Sequence, residues 1–147
     1  MEGKPYQVRT VYYKEPYKGT KKKTIVMTHG YGSNCTTFVT LLCHLAKKYD
    51  LVLYDNCGWG LNTKLTECKG LESKQAAFDW LSEFIVKTVD ALELPDTFLM
   101  AAHSYGCFLT SIYASTRPHR VESLFLISPV GLETYDPENY SPLAYND

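Results

Sequence analysis

Short apolar runs that alternate with segments of helical periodicity constrain the fold of this chain more than any other feature. They lie at Thr24–His29, Leu51–Asp55, Thr97–Ala102 and Val121–Ile127. Each run is short and largely apolar, which is typical of strands buried on both faces. A repeated strand–helix–strand order requires right-handed crossovers and helices on both faces of a parallel sheet. We therefore predict an α/β fold with a doubly wound, mostly parallel sheet.

The remaining segments supply the predicted helices and one edge strand. Gln7–Tyr13 alternates residues that favour strands, and residues 36–48 and 106–115 have helical character. Ser73 is of a type that caps helices and is predicted to begin a further helix that ends before Pro95. The apolar residues at helical spacing are Phe38, Leu41, Leu42 and Leu45 in the first helix and Phe78, Leu81, Ile85, Val89 and Leu92 in the second.

The segment A-A-H-S-Y-G-C, residues 101–107, carries the strongest chemical signal. It lies where an apolar strand must turn sharply into a helix, which is the setting of a serine nucleophile. Such a turn needs small residues two before and two after the serine, and Ala102 and Gly106 meet this need. Ser104 is therefore the predicted nucleophile, and the alternative is that it only caps the helix.

A second motif, H-G-Y-G, follows the first core strand. Acyl-transfer enzymes stabilise an oxyanion with one backbone N–H from such a loop and one from the residue after the nucleophile. We assign these amides to Tyr31 and Tyr105. Gly30 and Gly32 are expected to permit the tight backbone of this loop.

The histidines of the chain are not predicted to be the general base. His29 is expected to lie beneath the loop and hold its shape, although a role as the base is the alternative. His103 directly precedes the serine and is expected to point away from the Ser104 hydroxyl. His44 and His119 are predicted to be surface residues.

A third motif, D-N-C-G-W-G-L-N, begins at Asp55. Its glycines resemble those of a phosphate-binding loop, but no G-x-x-x-x-G-K-[ST] is present and Thr63 breaks the G-x-G-x-x-G pattern. By itself this motif is only weakly specific.

Composition narrows the class of protein further. A net charge of -1 gives no reason to expect nucleic acid as a partner. The lysines at residues 21–23 favour a solvated loop over contact with anionic lipid. The cysteines are odd in number and share no metal or redox spacing, so free thiols, no metal and no cofactor are expected. Without a leader-like or membrane-spanning apolar run, we predict a cytoplasmic protein with no transmembrane segment.

Together the three motifs, in this order and with S-P-V-G-L after the fourth core strand, resemble the α/β-hydrolase superfamily. The resemblance covers roughly residues 24–132, with a lead-in strand and basic loop at 1–23 and the start of a lid or connecting segment at 133–147. It implies that the first core strand lies beside the third, with the second outside the first and the fourth outside the third. Within the superfamily, S-P-V-G-L is similar to the branch of phospholipid lipases and a lipid-droplet co-activator. That co-activator has asparagine at the position of Ser104.

The resemblance implies a serine hydrolase or acyltransferase that acts on lipid-like esters, in peripheral contact with a membrane or lipid droplet. The alternative is a non-catalytic, lipid-associated co-activator. In the family the base is a histidine that follows the last strand, and this chain ends before one. We therefore expect a C-terminally truncated core that cannot turn over alone. A gene prediction that stops early or a shortened product is favoured over a genuine short paralogue.

Overall fold

The computed structural model describes residues 6–14, 21–63 and 73–131. The strands are β1 (Thr10–Tyr13), β2 (Lys23–Thr28), β3 (Tyr49–Tyr54), β4 (Phe98–His103) and β5 (Val121–Ile127). A 3-10 helix at Cys35–Phe38 leads into α1 (Val39–Leu45), and the longer helices are α2 (Lys74–Asp90) and α3 (Tyr105–Thr116). The segment predicted to begin a lid, residues 133–147, lies outside the described residues.

The strands form one sheet in the order β1-β3-β2-β4-β5. Pairing is parallel from β3 to β5, and β1 runs antiparallel along β3. This confirms the doubly wound, mostly parallel sheet and the strand order that the resemblance implied. The winding reverses between β2 and β4, so the loops after these two strands meet at a switch point, where open α/β sheets bind ligands.

Each face of the sheet buries its own apolar cluster, because successive side chains of a strand point to opposite faces. Val26, Val52 and Met100 pack with α2 and α3 on one face. Met27 and Leu53 pack with the 3-10 helix and α1 on the other. Helices therefore cover both faces, as predicted.

The structure corrects the predicted helices in detail. α1 contacts the sheet through Leu42 and Leu45, whereas Leu41 is 42% exposed because it lies about 100° further round a short helix. α2 begins as predicted, since the Ser73 hydroxyl accepts a hydrogen bond from the Ala76 amide at 3.1 Å. It ends at Asp90, so Leu92 packs against the core from outside the helix. Phe78, placed in the predicted buried stripe, is 43% exposed.

Candidate active site

Ser104 is the single residue between the end of β4 and the start of α3. Its φ of 53° and ψ of -122° lie in a region that residues with a side chain rarely adopt, at a cost of about 1–3 kcal/mol. Two backbone hydrogen bonds hold the turn: Ser104 N–H to Ile127 O at 3.0 Å and Cys107 N–H to Ser104 O at 2.9 Å. The hydroxyl makes no capping hydrogen bond with α3, so the capping alternative does not describe this side chain.

The small residues around Ser104 let α3 approach the end of β2. Ala102 is fully buried in β4. A Cβ on Gly106 would lie 2.5 Å from Thr28 O and 2.6 Å from His29 O, so only glycine fits there. The need for small residues, predicted from crowding by a neighbouring strand, is therefore met most stringently at Gly106.

The loop after β2 lies directly against the Ser104 turn. A Cβ on Gly30 would be 3.1 Å from Ser104 Cβ and 3.0 Å from His103 Nδ1. Gly32 has a positive φ of 70°, which bends the loop. Tyr31 and Tyr105 are neighbours here, because their ring centroids are 6.3 Å apart. The structure thus brings together the loop and the turn to which the oxyanion amides are assigned.

His29 is fully buried beneath this loop and uses both ring nitrogens. The Asn56 amide donates to Nε2 at 2.8 Å, so the proton is on Nδ1, which donates to Gly30 O at 2.7 Å. Burial lowers the pKa of the imidazole and keeps it neutral. With both nitrogens occupied, His29 holds the loop, and this geometry gives no support to the alternative of a general base.

Two of the other three histidines are exposed, as expected. His103 is half-buried beside Gly30, while His44 and His119 are exposed. Within the described part of the chain, no histidine hydrogen-bonds to the Ser104 hydroxyl.

The D-N-C-G-W-G-L-N loop acts as a clamp on the loop that follows β2. The Asp55 carboxylate accepts hydrogen bonds from the Cys35 amide at 2.7 Å and from the Leu61 amide at 2.9 Å. Gly60 has a φ of 59°, and a Cβ there would lie 2.0 Å from Asp55 Oδ2, so the loop closes tightly around this carboxylate. Asn56 adds a bond from its side-chain Nδ2 to His29 O at 2.6 Å.

Asn62 completes this clamp. Its Nδ2 donates to Asp55 O and Asn56 O at 2.6 and 2.9 Å, and its Oδ1 accepts from the Arg9 amide at 2.7 Å. The amide side chain therefore ties the clamp to the segment that precedes β1.

A sequence model of the alpha/beta hydrolase fold matches residues 23–146. This chain belongs to the alpha/beta hydrolase fold family. It is 30% identical over 112 residues to a probable 1-acylglycerol-3-phosphate O-acyltransferase of Oryza sativa subsp. japonica. It is 29% identical over 107 residues to the (lyso)-N-acylphosphatidylethanolamine lipase of Mus musculus. These matches cover 76% and 73% of this chain but only 26% and 30% of the relatives.

Solved structures share this fold. A probable hydrolytic enzyme from Pseudomonas aeruginosa PAO1 superposes with a TM-score of 0.73 at 24% identity, over 90% of this chain and 40% of that one. This likeness establishes the fold of the hydrolase core.

Two further properties of this α/β-hydrolase chain bear on its site. Across the described ranges, no helix has the length and apolar character needed to span a membrane. In the same ranges, no cluster of histidine, cysteine, aspartate and glutamate is arranged to hold a metal ion.

Sequence reasoning missed part of the candidate site. Asp55 and Asn56 act as clamps because the fold brings them against residues that are distant in the sequence. Their position directly after a buried strand was the one sequence feature that could have indicated this role. Near the Ser104 turn, the Trp59 ring contacts Tyr31 and the Phe108 ring contacts Tyr105, and Phe78 in turn contacts Phe108. Nothing in the local pattern marks these rings.

Proposed function

We propose that this chain carries the nucleophile of a serine hydrolase or acyltransferase that acts on lipid-like esters. The observation that carries the proposal is the backbone of Ser104, held at a positive φ at the head of α3 and directly against Gly30. Strained residues of this kind persist where the surrounding structure fixes them, and they cluster at active sites.

In the proposed reaction, Ser104 Oγ attacks the carbonyl carbon of the ester while a base accepts the hydroxyl proton. The Tyr31 and Tyr105 amides donate to the oxyanion of the tetrahedral intermediate, which then expels the alcohol and leaves an acyl-serine. Water or the hydroxyl of an acceptor next attacks the acyl group and restores Ser104. We place the base at a histidine outside these 147 residues, because both ring nitrogens of His29 are engaged and none of the chain's four histidines hydrogen-bonds to the Ser104 hydroxyl.

The substrate class is supported by the relatives. Their names describe an acylglycerol-phosphate acyltransferase, an N-acylphosphatidylethanolamine lipase and, in Mus musculus, a monoglyceride lipase that is 28% identical over 130 residues. All of these names refer to lipids with an acyl chain. For this protein we propose a lipid-like ester and a cytoplasmic location in peripheral contact with a membrane or lipid droplet. Cys35, Cys43 and Cys107 form no disulfide, which fits a reducing compartment.

Covalent labelling tests the nucleophile. The protein at its natural length is treated with a fluorophosphonate, which reacts only with an activated serine, and the labelled residue is identified by mass spectrometry. We expect labelling at Ser104 and its loss in Ser104→Ala. The matched control is Ser111→Ala on the same helix, which should label normally. Labelling that persists in Ser104→Ala would refute the assignment.

A non-catalytic, lipid-associated co-activator is the second candidate. It is favoured by the fact that, in the part of the chain that the structure describes, no histidine contacts the Ser104 hydroxyl. A protein of natural length that binds lipid monomers but takes up no fluorophosphonate would establish this function instead of the enzymatic one.

A further inference from the structure

A continuous row of aromatic rings runs past the Ser104 turn. We call Trp59, Tyr31, Tyr105, Phe108 and Phe78 the aromatic strip. Successive ring centroids along it are 4.6, 6.3, 6.1 and 6.2 Å apart, which are contact distances for aromatic pairs. The strip therefore joins both loops of the site to α3 and α2.

The aromatic strip is partly open to solvent, most of all at Tyr31 and Phe78, and its side chains carry no charge. Tyr31 is 75% exposed and Phe78 is 43% exposed, while the rings between them are half-buried. Burial raises the pKa of the Tyr105 phenol, so this ring stays neutral. An exposed apolar surface of this kind marks a binding site more often than it marks ordinary surface.

The aromatic strip is held in place by the surrounding backbone. Trp59 lies within the clamp loop that closes around Asp55. Phe108 is fixed on α3 and faces Gly131, whose φ is 75° and where a Cβ would lie 2.9 Å from the ring. A rigid apolar surface loses little conformational entropy when a ligand binds to it.

We propose that the aromatic strip binds the acyl chain of the ester whose carbonyl lies at Ser104. This inference rests on the proposed function, because the amides assigned to the oxyanion belong to Tyr31 and Tyr105, which are also members of the strip. A carbonyl held by these amides brings its hydrocarbon chain against their rings. A saturated chain offers no hydrogen bonds and no charge, which matches a surface of uncharged rings.

Tryptophan fluorescence tests the chain site without any turnover. The protein has two tryptophans, Trp59 in the strip and Trp80, which lines a separate groove of about 830 Å³ between β1 and α2. In Trp80→Phe, Trp59 is the only tryptophan left among these 147 residues, and it reports on the strip. A brominated single-chain ether lipid, kept monomeric, quenches a tryptophan only on contact. We expect saturable quenching, with affinity rising about fourfold for each added methylene.

Variants of the aromatic strip locate the bound chain. In the Trp80→Phe background, Phe78→Ala should weaken binding roughly tenfold, and Phe78→Leu, which keeps an apolar side chain, should restore most of it. The matched control is Phe125→Ala on β5, a 69% exposed phenylalanine outside the strip, which should leave binding unchanged. Because Phe78 and Phe125 are both exposed, these variants are expected to fold, and thermal unfolding checks this.

Other results would overturn the inference. Affinity that does not depend on chain length, or is equal in Phe78→Ala, excludes the strip as the chain site. Quenching of Trp80 in Trp59→Phe would place the chain in the groove beside α2. Quenching by brominated bilayer vesicles but not by monomers would make the strip a membrane contact. With Ser104 intact, labelling and chain binding separate the two proposals: chain binding without labelling refutes only the chemistry, and labelling without chain binding refutes only the chain site.

Discussion

At the scale of single residues, the Ser104 turn depends on neighbours that have no room to change. Gly106 places the first turn of α3 against carbonyl oxygens at the end of β2, and Gly30 lies against Ser104 itself. His29 is neutral, and both of its ring nitrogens are hydrogen-bonded, Nδ1 to Gly30 O and Nε2 to the Asn56 amide. Close backbone contacts and the buried His29 imidazole thus fix the position of the Ser104 turn against the loop after β2.

Gly106→Ala tests the contact between α3 and β2. On helix propensity alone, alanine would stabilise a helix by about 1 kcal/mol relative to glycine. Here its Cβ would lie 2.5 Å from a backbone oxygen, so we expect the free energy of unfolding to fall by about 2 kcal/mol. Urea unfolding measures this, and a higher unfolding midpoint would contradict the contact.

His29 should make stability depend on pH. Its folded-state pKa is lowered from the ordinary 6.5 by burial, so the unfolded chain binds the proton more readily. The stability is fully present above about pH 6.5 and declines as the pH falls toward the lowered pKa, by at most about 1.4 kcal/mol per pH unit.

Urea unfolding between about pH 7 and pH 5 checks this effect. The decline should be smaller in His29→Gln than in the wild-type protein, whereas His119→Gln, at an exposed position, should keep it. Equal declines in all of these proteins would assign the effect to other groups.

The residue-scale features show what sequence could supply. Ser104, Ala102 and Gly106 were predictable because a sharp strand-to-helix turn makes local demands on size. The clamp roles of Asp55 and Asn56 were not, since they depend on Cys35 and His29, which lie 20 and 27 positions away along the chain.

At the scale of elements, the loops after β2 and β3 behave as one unit. The Asp55 carboxylate joins the Cys35 and Leu61 amides, and Asn56 joins His29.

The boundaries of the helices were less predictable from the sequence than the order of the strands and helices. α1 is short because the chain turns after Leu45 to enter β3 at Tyr49, a tertiary constraint that helix periodicity does not contain.

Asp55→Ala tests the clamp. It leaves two backbone N–H groups without their acceptor, so we expect the free energy of unfolding to fall by about 2–4 kcal/mol. Asp55→Asn keeps one acceptor oxygen and should lose about half as much. The control is Asp79→Ala on the exposed face of α2, with a change within about 0.5 kcal/mol. A similar loss of unfolding free energy in Asp79→Ala would contradict a special role for Asp55.

At the scale of the whole molecule, the sheet has helices on both faces but its two edges differ. On one side β1 pairs with β3, and on the other β5 is the outermost strand among the described residues. Phe125 on β5 is 69% exposed. The sheet itself was predictable because its apolar runs are uniform and evenly interrupted, whereas this exposure depends on which strand lies outermost.

Phe125→Lys should reduce self-association. An exposed apolar side chain on an edge strand favours pairing between copies, and lysine opposes it. We expect less light scattering on warming, with an unfolding midpoint close to that of the wild-type protein. Ser123→Lys adds the same charge on the same strand without removing the ring. If both variants act equally, charge alone explains the effect.

The hydrogen bond from the Ser104 amide to Ile127 O has a kinetic consequence. Whenever the end of β5 frays, this amide loses its acceptor and its proton is free to exchange with deuterium. The exchange rate of that one proton therefore reports how often the end of β5 opens. Each opening also frees the turn that positions the Ser104 hydroxyl. A ligand or neighbour that binds β5 would slow the exchange of this amide proton and lengthen the time for which the Ser104 turn stays formed.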